Sequence, residues 1–387
     1  MAVGLPELRD GLTAPTRRLL RLVEETTRAL GRRRVKTNRV LLQAIASDPS
    51  VPLWDWYALL LRLGQPWLSR YPLLDTLGNF GNIDGDPPCG MQFNEVGLAA
   101  WGRLLASEPS AFPQLLVNGA WSHDGGFEHE LDGKPPTSVE LQARENVEGA
   151  EGDLDPVNVV PTGRLVGGTL RSFLLPHNLG EICAGLLRLV EAPGTGLSGV
   201  LESIKGPDFP TGGVLLAGAG LERLYRTGEG EVEVAARARV EEGNRGRTLV
   251  VVSEIPYGID KARLFEGACV HVQEGRLPSV IDVRDLSNRD GIRIEVEVER
   301  GGDPERVLQE LHRTEVLRNR VPVRMVVEDR GASRTVGLLE LMRSCLEGRR
   351  AALRDRLAAA EAEEVLRREL RDLGGRSDPR RTLVGRA

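Results

Sequence analysis

Apolar positions between residues 5 and 70 recur at the three-to-four-residue spacing of amphipathic helices, with few Gly or Pro interruptions. Leu19, Leu22, Val23 and Leu30, with charged residues between them, predict a helix over Pro15 to Leu30. A basic cluster follows, Arg32, Arg33, Arg34, Lys36 and Arg39, and opens a second apolar run through Val40, Leu41, Leu42 and Ile45. After a Ser-Asp-Pro-Ser turn, a third run spans Trp54 to Leu63. Three short helices with a basic joint suit a helix-turn-helix or winged-helix module.

The pattern changes at Tyr71. Residues 71–90 are dense in Gly, Asn, Asp and Pro, and the apolar Phe80 and Ile83 among them predict an ordered irregular loop. From 124 to 155 ten acidic side chains face only Lys134 and Arg144, with few aliphatic residues. Such a segment cannot bury a core and is expected as a solvated, mobile surface insertion. Between Val157 and Val327 the pattern is mixed. Strands are predicted at Gly213 to Ala217, Glu231 to Val240, Arg247 to Ser253, Ile292 to Glu299 and Val321 to Val327, and helices at Leu179 to Glu191, Asp260 to Glu274 and Pro304 to Thr314. The last has Asp303 as its cap and Pro304 in its first turn. Beyond Thr335 a Leu-, Ala-, Glu- and Arg-rich run reaches Leu373, enough for a helix of roughly 55 Å. Its apolar stripe (Leu346, Leu353, Leu357, then Leu366, Leu370, Leu373) shifts register around Ala358 to Glu364, which suits a coiled-coil partner or a tight antiparallel hairpin there.

Composition narrows the function classes. At 387 residues the chain suits two or three domains. The formal net charge of −5 excludes bulk polycationic binding of nucleic acid, so any such site is a local patch. Residues 1–40 supply one: ten basic and four acidic side chains. The cysteines Cys89, Cys183, Cys269 and Cys345 are too scattered for a zinc or disulfide framework, and no apolar run approaches the length of a membrane span. Gly194-Thr-Gly-Leu-Ser-Gly fits a dinucleotide fingerprint but follows a predicted helix rather than a strand. His123, His129, His177, His271 and His312 show no supported catalytic ordering, and His177 reads as framework. Pattern alone gives no active site.

Several strings resemble one family, the A subunits of bacterial type IIA topoisomerases (DNA gyrase and topoisomerase IV). They are Leu5-Pro-Glu-Leu-Arg-Asp-Gly-Leu, Arg17-Arg18, Arg70-Tyr-Pro-Leu-Leu-Asp, Gly78-Asn-Phe-Gly-Asn-Ile-Asp-Gly-Asp, Pro176-His-Asn-Leu-Gly-Glu, Gly206-Pro-Asp-Phe-Pro-Thr-Gly-Gly, Glu254-Ile-Pro-Tyr, Lys261-Ala-Arg-Leu and Asn288-Arg-Asp-Gly-Ile-Arg-Ile. The resemblance runs from residue 5 to about 350. It implies an α+β chain: a winged-helix DNA-gate domain (1–123), the acidic insertion (124–156), an α/β tower domain (157–335), and a shortened coiled-coil helix or hairpin with its tail (336–387).

In this family a tyrosine attacks a backbone phosphate, an arginine immediately before it steadies the developing charge, and Mg²⁺ and ATP are held by a separate B subunit. The matching string here is Met91-Gln-Phe-Asn-Glu, so the nucleophile position is Phe93 and the arginine position is Gln92. Phenylalanine has no oxygen to attack phosphorus and Gln carries no charge. The paired-histidine loop of the family is replaced by Ser47-Asp-Pro-Ser-Val-Pro-Leu-Trp-Asp. The arm that docks on the B subunit, the distal coiled-coil gate and the DNA-wrapping propeller are expected to be missing. The base-step wedge falls at Leu165 or Val166.

These residues support three readings. The first is a cleavage-inactive homodimer that holds duplex DNA through Arg17, Arg18, Arg32, Arg33, Lys36 and Arg39, needs no cofactor of its own, and is cytoplasmic and nucleoid-associated. The second is a protein-interaction module, its basic patch masked by the acidic insertion. The third is a working, ATP-dependent topoisomerase chain, partnered by a B-type ATPase, whose nucleophile is Tyr57, Tyr71, Tyr225 or Tyr257. Phe93 is expected to pack where a tyrosine ring would.

Overall fold

Thr13 ends an extended segment and caps the first helix, α1 (Ala14–Ala29), its Oγ1 accepting from the Thr16 N–H at 3.3 Å, with a Pro in the first turn. Leu19, Leu20 and Val23 on its inner face are buried. A two-residue strand β1 (Val35–Lys36) leads into α2 (Thr37–Ser47) and α3 (Leu53–Gly64), then β2 (Leu74–Leu77), β3 (Glu95–Leu98) and α4 (Ala100–Ser107). The strands form an antiparallel sheet in the order β1-β3-β2. Leu19, Val40, Leu41, Trp56, Leu60, Val96 and Leu105 pack between helices and sheet as one core. This computed structural model describes residues 5–8, 11–107, 114–124, 169–216, 220–243, 247–288, 291–313 and 316–376; at 120–124, 169–171, 366 and 369–376 it describes backbone only.

A second core begins at α5 (Gln114–Val117). Around it lie β4 (Ala120–Asp124), β5 (Thr169–Leu174), α6 (Leu179–Glu191), α7 (Leu197–Leu201), β6 (Val214–Leu215), α8 (Gly220–Thr227) and β7 (Glu229–Ala235). A third core is built by β8 (Arg237–Glu242), β9 (Thr248–Glu254), α9 (Lys261–Gln273), β10 (Val280–Asp285), β11 (Ile294–Val298) and α10 (Pro304–Arg313). The chain then returns to the second core through β12 (Arg318–Arg324), giving one antiparallel sheet β4-β5-β12-β7-β6 and another β10-β11-β9-β8. The hairpin β13 (Val326–Asp329) and β14 (Ala332–Thr335) turns through Arg330 and Gly331, both at positive φ. The final helix is α11 (Leu338–Arg376).

Helix ends follow local chemistry. Asn178 caps α6, its Oδ1 accepting from the Gly180 and Glu181 N–H groups, and Asp303 caps α10 through the Glu305 and Arg306 N–H groups. The predicted helices therefore stand within a residue or two of their expected bounds. Four expectations change. The single strand expected over Glu231 to Val240 is two strands in different sheets: at Ala236 the N–H turns away to the Leu317 carbonyl, and β7 and β8 part company. The strand expected over Val321 to Val327 breaks at Met325, whose N–H pairs with the Gly228 carbonyl. No hairpin interrupts the C-terminal run. The chain is helical throughout Leu338–Arg376, and the register shift leaves Leu353, Leu357 and Val365 exposed on its surface. Leu42, placed on an apolar face by periodicity, is also exposed.

Candidate nucleic-acid interface

The Gly- and Asn-rich stretch after β2 is an ordered loop, as its buried-type residues require. Asn79 Oδ1 accepts from the Gly81 N–H at 2.8 Å, and Asn82 Oδ1 accepts from the N–H groups of Asp84 (2.9 Å) and Asp86 (3.0 Å). Phe80 is buried, and its carbonyl accepts from Gln65 Nε2 at 2.7 Å. On its far side the loop is tied to the third core. The Lys261 N–H donates to the Ile83 carbonyl (3.0 Å), and the buried Lys261 ammonium bridges Asp84 (2.7 Å) and Asp285.

This loop ends at Phe93. Asn94 beside it is fully buried; its amide donates to the Asn79 carbonyl (2.8 Å) and to the Tyr57 hydroxyl (3.1 Å), while its Oδ1 accepts from Cys89 Sγ (3.1 Å). Tyr57 in turn donates to the Cys89 carbonyl. The Asn94 carbonyl accepts from the Thr37 N–H, which joins the loop to the start of α2. With its neighbour anchored so firmly, Phe93 is carried at the surface, 64% exposed. The expectation that it packs where a tyrosine ring would is thus corrected: its ring stays in solvent, because the backbone on either side is committed to the turn (Phe93 N–H to the Gly90 carbonyl, 3.0 Å). Gln92 folds back against Gly90.

The basic residues do not form one patch. Lys36 and Arg39 are both exposed at the start of α2, where the Thr37 N–H is bonded to the carbonyl of Asn94, the residue after Phe93. Arg18 lies at the other end of α2, roughly 16 Å away by helix rise, bound to Asp48 at 3.0 Å. Arg17 points away, largely buried and paired with Glu7 at 3.0 Å, in the strip where the Leu8 N–H donates to the Glu328 carbonyl and the Glu328 N–H to the Pro6 carbonyl. Arg32 and Arg33 lie before β1 and are exposed. Four of the six have an acidic partner: Arg17 with Glu7, Arg18 with Asp48, Arg33 with Asp75 (2.9 Å) and Lys36 with Glu95 (3.0 Å). Among the described residues Arg32 and Arg39 carry no ion pair. Burial pushes the Asp75 carboxyl up, but hydrogen bonds and charge from Arg34 and Arg33 outweigh it and hold it below its usual value. The Ser50 hydroxyl, ahead of Arg18, keeps Asp48 low as well.

The tyrosines named as alternative nucleophiles are held in the fold. Tyr57 and Tyr225 are buried; burial pushes Tyr57 up to about 12 and Tyr225 further. Tyr257, half-buried and stacked on Phe209, is also pushed up to about 12 and donates to the Leu68 carbonyl. The Tyr71 hydroxyl accepts from the Leu179 N–H. His177 is framework: Nδ1–H donates to the Leu116 carbonyl and Nε2 accepts from the Tyr225 hydroxyl, both at 2.8 Å, and burial drives its pKa down to about 4. The Gly194 motif follows α6, as expected, although the short α7 does begin at Leu197. Leu165, Val166 and the acidic stretch from residue 125 lie outside the described residues.

The family model for the A subunits of DNA gyrase and topoisomerase IV matches residues 163–372. The chain is similar to the DNA gyrase A subunit of Haemophilus influenzae (32% identical over 352 residues, 90% of this chain and 37% of that protein). It is likewise similar to the gyrase A subunits of Chlamydia pneumoniae (28% over 376 residues, 91% and 40%) and Aminobacterium colombiense (31% over 355 residues, 91% and 41%). The chain thus spans about two fifths of the length of these relatives.

Proposed function

The chain belongs to the family of DNA gyrase and topoisomerase IV A subunits, and from that premise we propose that it holds duplex DNA without cutting it. The domain of residues 1–123 acts as a winged-helix DNA gate. The second and third cores act as the tower, and α11 is a coiled-coil arm in a homodimer. The observation that carries this reading is that exposed Phe93 and the exposed Lys36 and Arg39 stand on two segments joined by the Thr37 N–H to Asn94 carbonyl hydrogen bond. A surface able to meet a phosphate backbone is kept where the attacking oxygen is gone.

In a relative with a tyrosine at this position the hydroxyl would stand at the same exposed point, and a preceding arginine would add charge there. Here Gln92 offers an uncharged amide. The residues left can bind and orient a phosphodiester but cannot form a phosphotyrosine, and the buried tyrosines have neither exposure nor an acidified hydroxyl to replace it. No Mg²⁺ or ATP step is assigned to this chain. Titration with a duplex at two salt concentrations tests the binding, and denaturant trapping of covalent adducts with Mg²⁺ and a relative's B subunit tests the chemistry. Salt-independent or absent binding overturns the first half of the reading, and trapped adducts overturn the second.

A second reading is favoured by a separate observation: four of the six candidate cations are already satisfied by carboxylates of the same chain. On that reading the protein is an interaction module that no longer uses DNA, with the acidic stretch of residues 124–155 as a further mask. Removing residues 125–155 separates the two, because a mask predicts a strong gain in duplex affinity and a solvated insertion predicts none.

A further inference from the structure

A second basic feature lies at the end of β3 opposite Phe93. The helix α1 ends in a two-bond turn, with Gly31 N–H donating to the Arg28 carbonyl (3.1 Å) and Arg32 N–H to the Thr27 carbonyl (3.0 Å). Gly31 takes φ +60, so the chain reverses there and runs back across β3. It can lie close because position 97 is glycine; a Cβ there would overlap the Arg33 carbonyl. The start of α4 closes the other side with Arg103.

The result is a cleft of about 420 Å³ lined by Arg28, Arg32, Arg33 and Arg103, with Leu98 at its base and Glu24 as the single carboxylate of its lining. Three of the guanidiniums are anchored: Arg28 to Glu24 (2.6 Å), Arg33 to Asp75 (2.9 Å) and Arg103 to the Leu98 carbonyl (2.5 Å). Each anchor engages only part of a five-donor fork, so N–H groups remain for a ligand. Arg32 has no ion pair among the described residues.

We propose that this cleft binds a compact polyanion with adjacent phosphate groups, of the di- or triphosphate class, as a site beside the DNA face at α2 that shares Arg32 and Arg33 with it and adds Arg28 and Arg103. Four cations against Glu24 in the lining and Asp75 behind Arg33 leave an excess of two positive charges, which a polyphosphate neutralises. Arginine forks match phosphate oxygens two at a time, and anchoring lowers the ordering cost of binding. The volume is within the range of small-molecule sites, and the open depression leaves the arginine forks accessible to a compact anion. The cleft lies about one short strand, roughly 10 Å, from Lys36.

Calorimetric titration of the full chain with tripolyphosphate, and with inorganic phosphate as the monovalent comparison, tests this. The wild type should bind tripolyphosphate saturably, one per chain, and inorganic phosphate far more weakly. Arg28→Ala with Arg103→Ala, neither of them assigned to the DNA face, should lower tripolyphosphate affinity by about tenfold or more. Arg39→Ala should leave it unchanged. Arg103→Lys, which keeps the charge but not the fork, should fall between, and an unshifted melting temperature of the free variants shows that they fold. Absence of saturable binding, an unaffected double variant, or an equal loss in Arg39→Ala overturns the assignment. Duplex binding by the same double variant is expected to be unchanged; a parallel fall would make the cleft part of the DNA path and also overturn it. Loss of duplex binding by the wild type with tripolyphosphate binding intact would instead defeat the DNA reading alone.

Discussion

Replacing Asp75 by Asn should strengthen duplex binding and make it more salt-sensitive. The Asp75 carboxylate holds Arg33 Nε at 2.9 Å and Arg34 Nη2 at 2.7 Å, so two guanidiniums beside the proposed DNA face are tied down by one side chain that offsets half their charge. Duplex binding releases about 0.9 counterion per phosphate neutralised, so the two unpaired candidates, Arg32 and Arg39, give a slope of log K against log salt near −1.8 per chain. Between 50 and 200 mM salt that is a fall of roughly 12-fold, whereas all six candidates acting together would give a slope near −5.4 and a fall of roughly 1,800-fold. Asn at position 75 keeps an oxygen for one hydrogen bond but removes the charge. Freeing Arg33 and Arg34 should steepen the slope by about 1 to 2 and raise affinity most at low salt. Fluorescence anisotropy with a labelled duplex at four or more salt concentrations measures it, with Arg39→Ala as the opposite control, expected to flatten the slope by about 0.9. A wild-type slope near zero would refute duplex binding by these residues. A wild-type slope already near −5 with Asp75→Asn unchanged would show that the internal ion pairs open on binding, and would refute the inference drawn from them.

Phe93→Tyr alone should yield no covalent adduct with Mg²⁺ and a relative's B subunit, because Gln92 still lacks the charge; denaturing gels score it, and adduct formation by the single variant would refute the coupling of the two positions. His177 is held neutral in the fold and protonates near pH 4, whereas the unfolded chain protonates near 6.5, so stability is fully present above 6.5 and is lost as the pH falls toward 4, by up to about 3 kcal/mol. Asp260, pushed up to about 6 by burial, acts in the opposite sense over the same window, so the test is the difference in urea-unfolding free energy between wild type and His177→Gln from pH 7.5 to 4.5; parallel curves would refute it. Lys261→Met should cost about 3 kcal/mol, because it leaves Asp84 and Asp285 facing each other without their shared cation, and hydrogen exchange at residues 79–89 should rise; an unchanged melting temperature counts against the tether.

How much of this was legible in the sequence depends on the range of the interaction. The predicted helices emerge near their expected bounds because spacing and caps are local: Asn178, Asp303 and Thr13 act within three residues of their own positions. The break between β7 and β8 was not legible, since alternation runs unbroken through Val232 to Val240 and the cause is a backbone hydrogen bond from Ala236 to Leu317, on a distant part of the chain. The same holds for the candidate site. The basic residues could be counted, but Glu7, Asp48, Asp75 and Glu95 come from other segments, and only the fold shows that they quench four of the six. A local excess of charge in a sequence is therefore an upper bound on the charge a surface offers.

Phe93 carries that reasoning one step further. A ring with no function and a free backbone would be expected to turn inward, since burying a Phe side chain is worth about 1.5 to 3 kcal/mol. It stays out because Asn94 spends its amide on Asn79 and Tyr57, and Tyr57 is itself fixed to Cys89, all of them inside the fold. Exposure at this position is thus imposed by the buried Asn94 network and not by the chemistry of the residue presented. What this scaffold offers is an exposed aromatic edge on the segment that Asn94 joins to the start of α2, where Lys36 and Arg39 are exposed. An aromatic surface near cations is suited to lie against a nucleic-acid backbone and its bases, which is the contact that the proposed binding without cleavage requires.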